Sequence, residues 1–279
     1  MILVIGGTGT TGRLVTERLT ATAHPVRAAS RRASAGDVRF DWYDPSTHAA
    51  ALDGATGLYL IPPVGDANPA PVMLPFLDLA RKAGVRRAVL LSSSAIEADD
   101  PGVGEVQARL GRLFPQWAVL RPSWFMENFV GDHPHAVSVR ERGEIVSATG
   151  DARVAFVDPG DIAEVAVRAL TDPTSHDTEH IVTGPERLSY ADIATILTDI
   201  GGRPVRHRAV DEDALAAYHE LHGLPPDFAR FLAGLDTAVA TGAEDRTTTT
   251  VADVTGRRPR SFRDFCRERL LGGLPTEAA

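Results

Sequence analysis

Seven residues, Gly6-Gly7-Thr8-Gly9-Thr10-Thr11-Gly12, limit what this chain can fold into more than any others. The apolar run at 2–6 (ILVIG) reads as a strand, and a helical pattern runs from about Thr11 to Ala21. Glycines at 6, 9 and 12 let the chain turn sharply between the two and let a phosphate approach the backbone, which β-carbons would obstruct. The following helix offers unpaired N–H groups and the positive end of its dipole. A glycine pattern alone is weak evidence. A strand before it and a helix after it make it a pyrophosphate cradle, with Gly6, Thr8, Gly9, Thr10, Thr11 and Gly12 as the contacts.

The rest of the first half agrees. Short apolar runs at 26–30, 38–41, 58–61, 88–92 and 118–120 predict strands, alternating with helices near 70–83 and 105–113. That rhythm predicts an α/β fold of Rossmann type, a doubly wound parallel sheet covered on both faces. After Arg121 the pattern changes. Strands at 145–148, 154–157, 180–183 and 205–210 mix with helices at 159–170, 211–221 and 227–239, and Ser189 with Asp192 predicts a capped helix start. With no linker visible, the expectation is one domain over 1–279. Its nucleotide-binding core would cover about 1–150, with a small mixed α/β substrate lobe over about 151–279 packed on it.

The end of the second strand selects the dinucleotide. An acidic residue there would suit the ribose hydroxyls of NAD. This chain has Ser30-Arg31-Arg32, a hydroxyl and two guanidinium groups that suit the 2′-phosphate of NADP(H). The alternative is that both arginines are merely solvated. Asp41, ending the third strand, is a candidate partner for the adenine amino group, with Trp42 beside it.

Composition removes other classes. A net charge of −8 argues against a nucleic-acid partner. The arginines between 257 and 269 are interrupted by Asp264 and Glu268, which reads as a salt-bridged helix face. The single cysteine, Cys266, excludes an internal disulfide, and His133 and His135 flanking Pro134 are a poor metal spacing, so no metal is expected. No secretory leader is expected, and no apolar run approaches the roughly 18 residues of a membrane span. The expectation is a cytoplasmic protein acting on a small molecule, with no membrane partner. Monomer and homodimer both remain open.

Several segments together resemble the NmrA-like branch of atypical short-chain dehydrogenases/reductases: GGTGTTG at 6–12, SRR at 30–32, LIPP at 60–63, GVRRAVLLSSS at 84–94, LRPSWFMENF at 120–129, VDPGDIAEVAVRAL at 157–170 and TGPE at 183–186. The LLSSSAIE and LRPSWFMENF stretches are most similar to ergot-alkaloid reductases of the festuclavine and agroclavine dehydrogenase type, and less so to bacterial NAD(P)H-quinone reductases. The resemblance implies that Ile61, Pro62 and Pro63 run along the cofactor. It also implies that Ser92 and Ser93 lie beside the nicotinamide ribose, and that Pro122 to Phe125 pass the nicotinamide.

One departure decides the chemistry. The wider superfamily carries Tyr-x-x-x-Lys after the fifth strand, where tyrosine protonates a developing alkoxide. Here residues 100–109 read DPGVGEVQAR, and the only lysine, Lys82, ends a different helix. Two readings follow. In the first, the chain is an NADPH-dependent oxidoreductase for a small cyclic, aromatic or cationic substrate, an imine, iminium or quinone. Hydride addition to C=N⁺ gives a neutral amine, and a quinone gives a stabilised phenolate, so neither needs a strong acid. Ser92, Ser93 and Asn128 would then position the reactants. Tyr59, Trp124, Phe125, Met126 and Phe129 would wall the substrate, whose charge aromatic faces favour, although each is equally suited to core. His133 or His135 would be a proton source if it reached the pocket. In the second, the chain is a non-catalytic NADP(H) sensor acting through a protein partner.

Overall fold

The computed structural model describes residues 1–33 and 36–271. In chain order the elements are β1 (Ile2–Ile5), α1 (Thr10–Ala21), β2 (Val26–Ser30), β3 (Val38–Arg39), α2 (His48–Leu52), β4 (Gly57–Leu60), α3 (Ala70–Lys82), β5 (Arg87–Leu91), α4 (Val103–Leu113), β6 (Gln116–Pro122) and α5 (Pro134–Arg142). They continue as β7 (Glu144–Ser147), α6 (Pro159–Thr171), β8 (Thr178–Val182), α7 (Tyr190–Gly201), β9 (Arg206–Ala209), α8 (Glu212–Leu221), α9 (Pro226–Ala240), α10 (Thr250–Thr255) and α11 (Phe262–Leu271). The chain divides into two compact units. The first comprises Met1–Pro122, Pro159–Val182 and Thr250–Arg257; the second comprises Ser123–Asp158, Thr183–Thr249 and the chain from Arg258.

In the first unit seven parallel strands form one sheet in the order β3-β2-β1-β4-β5-β6-β8. This is the doubly wound sheet that the alternation predicts. Alternate side chains divide its core. Leu3, Ile5, Leu58, Leu60, Ala88 and Leu90 pack with Met73, Phe76 and Leu77 of α3 and with Val106 and Leu110 of α4. On the other face α1 packs on α6. Burial of this kind stabilises by about 25 cal/mol per Å² of apolar surface, which explains why runs such as ILVI and GLYL carry no polar face.

The second unit pairs β7 with β9 in parallel and packs α5, α7, α8, α9 and α11 around them. Ser189 and Asp192 make the expected capping box at the start of α7.

The boundaries differ from the sequence expectation in an instructive way. Residues 123–158 lie in the second unit, while α6 and β8 return to the first, because β8 pairs along β6 from Ala118↔Thr178 to Pro122↔Val182. Residues 154–157, expected as a strand, make only isolated bridges, Val154 to Leu188 and Val157 to Phe125. The C-terminal arginines are ion-paired as expected: Arg257 with Glu164 at 2.7 Å, Arg260 with Glu268 at 3.0 Å, Arg263 with Asp199 at 3.0 Å and Arg269 with Glu127 at 2.7 Å.

Candidate active site

All strands of the sheet run the same way, so their carboxyl ends share one edge. From β1 the chain goes to β2 on one side and later to β4 on the other, and the connections diverge between β1 and β4. Open α/β sheets bind ligands at such a switch point. The glycine loop occupies that position.

Local geometry explains its composition. Gly6 has φ +75°, and a β-carbon at Gly12 would stand 2.2 Å from the Gly6 carbonyl oxygen. Gly9 begins α1 without a side-chain cap, and no acid occupies the first turn. The Arg13 N–H is bonded to the Gly9 carbonyl at 3.0 Å, so those of Thr10, Thr11 and Gly12 precede the first intrahelical bond. Unpaired amides, a positive helix end and exposed Gly9 without a β-carbon fit a pyrophosphate. Thr8 and Thr10 are exposed at this end, whereas Thr11 is turned inward, where its hydroxyl accepts from the Tyr59 phenol at 3.2 Å.

Arg31 and Arg32 follow β2, exposed and without an ion pair among the described residues. The Ser30 hydroxyl donates to the Arg32 carbonyl at 2.8 Å, which shapes this corner. Asp41 is half-buried, with one carboxylate oxygen accepting the Tyr43 N–H at 3.0 Å. The Trp42 indole donates to the Ile61 carbonyl at 3.1 Å and so anchors the half-buried Ile61-Pro62-Pro63 segment. Beyond it, the Tyr43 phenol donates to Asp66 at 2.6 Å, and burial with the Asp66 carboxylate pushes that phenol up to about 12.

At the end of β5 a chain of bonds fixes one proton. The Gln107 side-chain N–H donates to Glu179 at 3.0 Å, and the Ser92 hydroxyl donates to the other side of the same amide at 2.9 Å. A carboxylate only accepts, so the amide nitrogen must face Glu179 and its oxygen must face Ser92. Ser92 therefore spends its proton inward and presents only acceptor capacity elsewhere. Arg121, nearly buried, closes the chain on Glu179 at 3.0 Å and Glu97 at 2.6 Å. Burial alone would lower its pKa, but the two carboxylates hold the guanidinium above its usual value. Two further N–H groups donate to the Ser93 and Ser94 carbonyls. The Ser93 hydroxyl accepts the Ala95 N–H at 3.2 Å, and Pro122, ending β6, accepts the Ser94 N–H at 2.9 Å.

Residues 6–173 match the family model described as NAD(P)H-binding. The chain belongs to this NAD(P)H-binding family. It is 44% identical to an uncharacterized oxidoreductase, YesF, of Bacillus subtilis, across 95% of this chain and 93% of that protein. Agroclavine dehydrogenase of Claviceps fusiformis is 40% identical, across 95% of each chain. The fold matches that of an Escherichia coli NADPH-dependent quinone oxidoreductase complexed with NADPH, with TM-score 0.80 and 24% identity across 95% of this chain and 98% of that one. This family member is thus an NAD(P)H-dependent oxidoreductase, in keeping with the NmrA-like resemblance. The sensor reading draws no support from these relatives.

Some of this oxidoreductase's candidate walls sit elsewhere than a pocket requires. Tyr59 is wholly buried in β4. Met126 and Phe129 are buried in the core of the second unit, where Phe129 meets Phe156, Tyr190 and Phe262 edge-on. All three serve packing. Trp124, Phe125 and Asn128 are half-buried, with the Trp124 carbonyl and the Met126 N–H bonded to Val157. His133 caps α5, and burial pulls it down to about 4; His135 is stacked on Phe129. Among the described residues no group of three or more His, Cys, Asp or Glu side chains could hold a metal, and no helix is long and apolar enough to cross a membrane.

Gln107, Glu179 and Arg121 are the residues that sequence reading missed. Gln107 carried a signal: it interrupts the apolar stripe Val103, Val106, Leu110 on the buried side of α4.

Proposed function

We propose that the chain uses NADPH to reduce a small cyclic iminium ion, with a quinone as the related case. The supporting observation is the Ser92–Gln107–Glu179 chain: the hydroxyl at the end of β5 points its proton inward, and α4 carries neither tyrosine nor lysine. The bound cofactor supplies a hydride. The protein's share is to hold it, through the glycine loop and the amides of α1 at the diphosphate, Arg31 and Arg32 at the 2′-phosphate, and Ile61 to Pro63 along its length. Ser92 then offers a lone pair, and orientation with water exclusion does the rest. The similarity to agroclavine dehydrogenase, with the ergot-alkaloid reductase resemblance of the LLSSSAIE and LRPSWFMENF stretches, supports an alkaloid-like substrate.

The test is a pH series with NADPH. The rate with a neutral imine should fall as pH rises through the substrate's pKa, while an N-alkylated iminium of the same shape should hold its rate. Identical pH profiles for the two substrates would sink the proposal.

A further inference from the structure

Polar groups that the reductase reading leaves unused gather inside the second unit. His135 of α5 stands with its ring centroid 5.8 Å from that of Tyr190 of α7 and 5.1 Å from that of His133, and Tyr190 stands 5.6 Å from His207 of β9. Asp236 of α9, only 8% exposed, accepts the Ala148 N–H at 3.0 Å and has no other hydrogen bond or ion pair among the described residues. His135 Nδ1, Ser138 Oγ and His219 Nδ1 are buried without partners. The Tyr190 side chain is 1% exposed, and burial with the Asp236 charge nearby pushes its phenol up.

Each buried polar atom left unbonded costs about 1–3 kcal/mol, so several in one region mark a place that something else completes. Its charge says what. Burial lowers the pKa of His133, His135, His207 and His219, so none of the four supplies a positive charge at neutral pH. The carboxylate has no counter-ion, and burial pushes it up to about 6. Tyr190, whose phenol feels the Asp236 charge, presents an electron-rich ring face, which attracts cations once water is excluded.

We infer that the interior of the second unit binds a flat organic cation, its nitrogen against the Asp236 carboxylate and its ring beside Tyr190 and His135. This cation site belongs to the second unit alone and stands apart from the reductase reading. Asp236 would hold the cation by charge, and the neutral imidazoles would leave that charge unopposed.

The experiment is a binding measurement, made on the full chain saturated with NADP⁺ so that no hydride can move. Calorimetry compares N-methylisoquinolinium, permanently charged, with isoquinoline, which is uncharged at about pH 8. The wild-type chain should bind the cation at least about tenfold more tightly, as a buried charge pair does. Asp236→Asn, which keeps an acceptor for the Ala148 N–H, should lose about tenfold or more for the cation and leave isoquinoline unchanged. Equal affinities for the two probes in the wild-type chain overturn the inference, as does unchanged cation binding in D236N. If D236N does not fold, the wild-type comparison decides alone. Turnover of iminium ions with no preference here would remove this inference and leave the reductase reading standing; cation binding without turnover would do the reverse.

Discussion

Replacing Gln107 by leucine is the sharpest perturbation of the first unit, because one side chain holds two bonds there. Gln107 is 3% exposed, so no water replaces what is lost. The bond with the Ser92 hydroxyl is neutral and contributes about 1 kcal/mol, while that with the Glu179 carboxylate contributes about 1.5–3 kcal/mol. Leucine fills a similar volume and returns about 1 kcal/mol through burial. The net loss is about 1.5–3 kcal/mol, or a fall in Tm of about 3–12 °C for a chain of this size. Ser92 would be free to rotate, yet no acid is created, so kcat/KM for an iminium should fall by about tenfold or less and ketone turnover should not appear. Calorimetry and steady-state kinetics on the same preparation measure both. An unchanged Tm would refute the network. A loss of activity beyond about a thousandfold with NADPH binding intact would make Gln107 part of the chemistry, and the reasoning about Ser92 would fail.

Two further outcomes are expected. Arg31→Ala should remove most of a preference for NADPH over NADH, about tenfold because the guanidinium is exposed, and equal dissociation constants in the wild-type chain would refute this. His133 has a folded pKa of about 4 against an ordinary 6.5, so the unfolded chain binds more protons in that window and stability falls as pH drops from 6.5 towards 4. His133→Asn keeps a capping acceptor and should lessen that acid sensitivity; identical stability–pH curves by urea unfolding would contradict the assignment.

The sheet was legible because its strands are local apolar runs and its glycine loop has few alternatives. Arg31 and Arg32 stand just past the end of β2, and Ile61 to Pro63, which the family resemblance implies for the cofactor, stand just past the end of β4, both at the carboxyl edge of the sheet. The division of the chain was not legible, since nothing in the local pattern of 159–182 reveals that β8 pairs with β6, a partner 60 residues earlier. The Ser92–Gln107–Glu179–Arg121 chain stayed hidden because it joins side chains from four separate elements. Tyr59, Met126 and Phe129 were misleading because aromatic and thioether groups suit a pocket wall and a packed core equally, and only burial separates the two.

In the proposed reaction the chain reduces a substrate bringing its own positive charge, and no side chain at the end of β5 gives a proton. That proposal is tested most directly by pairing a cyclic iminium with its isosteric ketone and following NADPH oxidation under identical conditions. Turnover of the iminium is expected, with a ketone rate lower by at least about a hundredfold, the lower end of what a positioned acid contributes. A ketone reduced as fast as its iminium would contradict it, and would mean that an acid acts in this chain which neither Ser92 nor α4 provides.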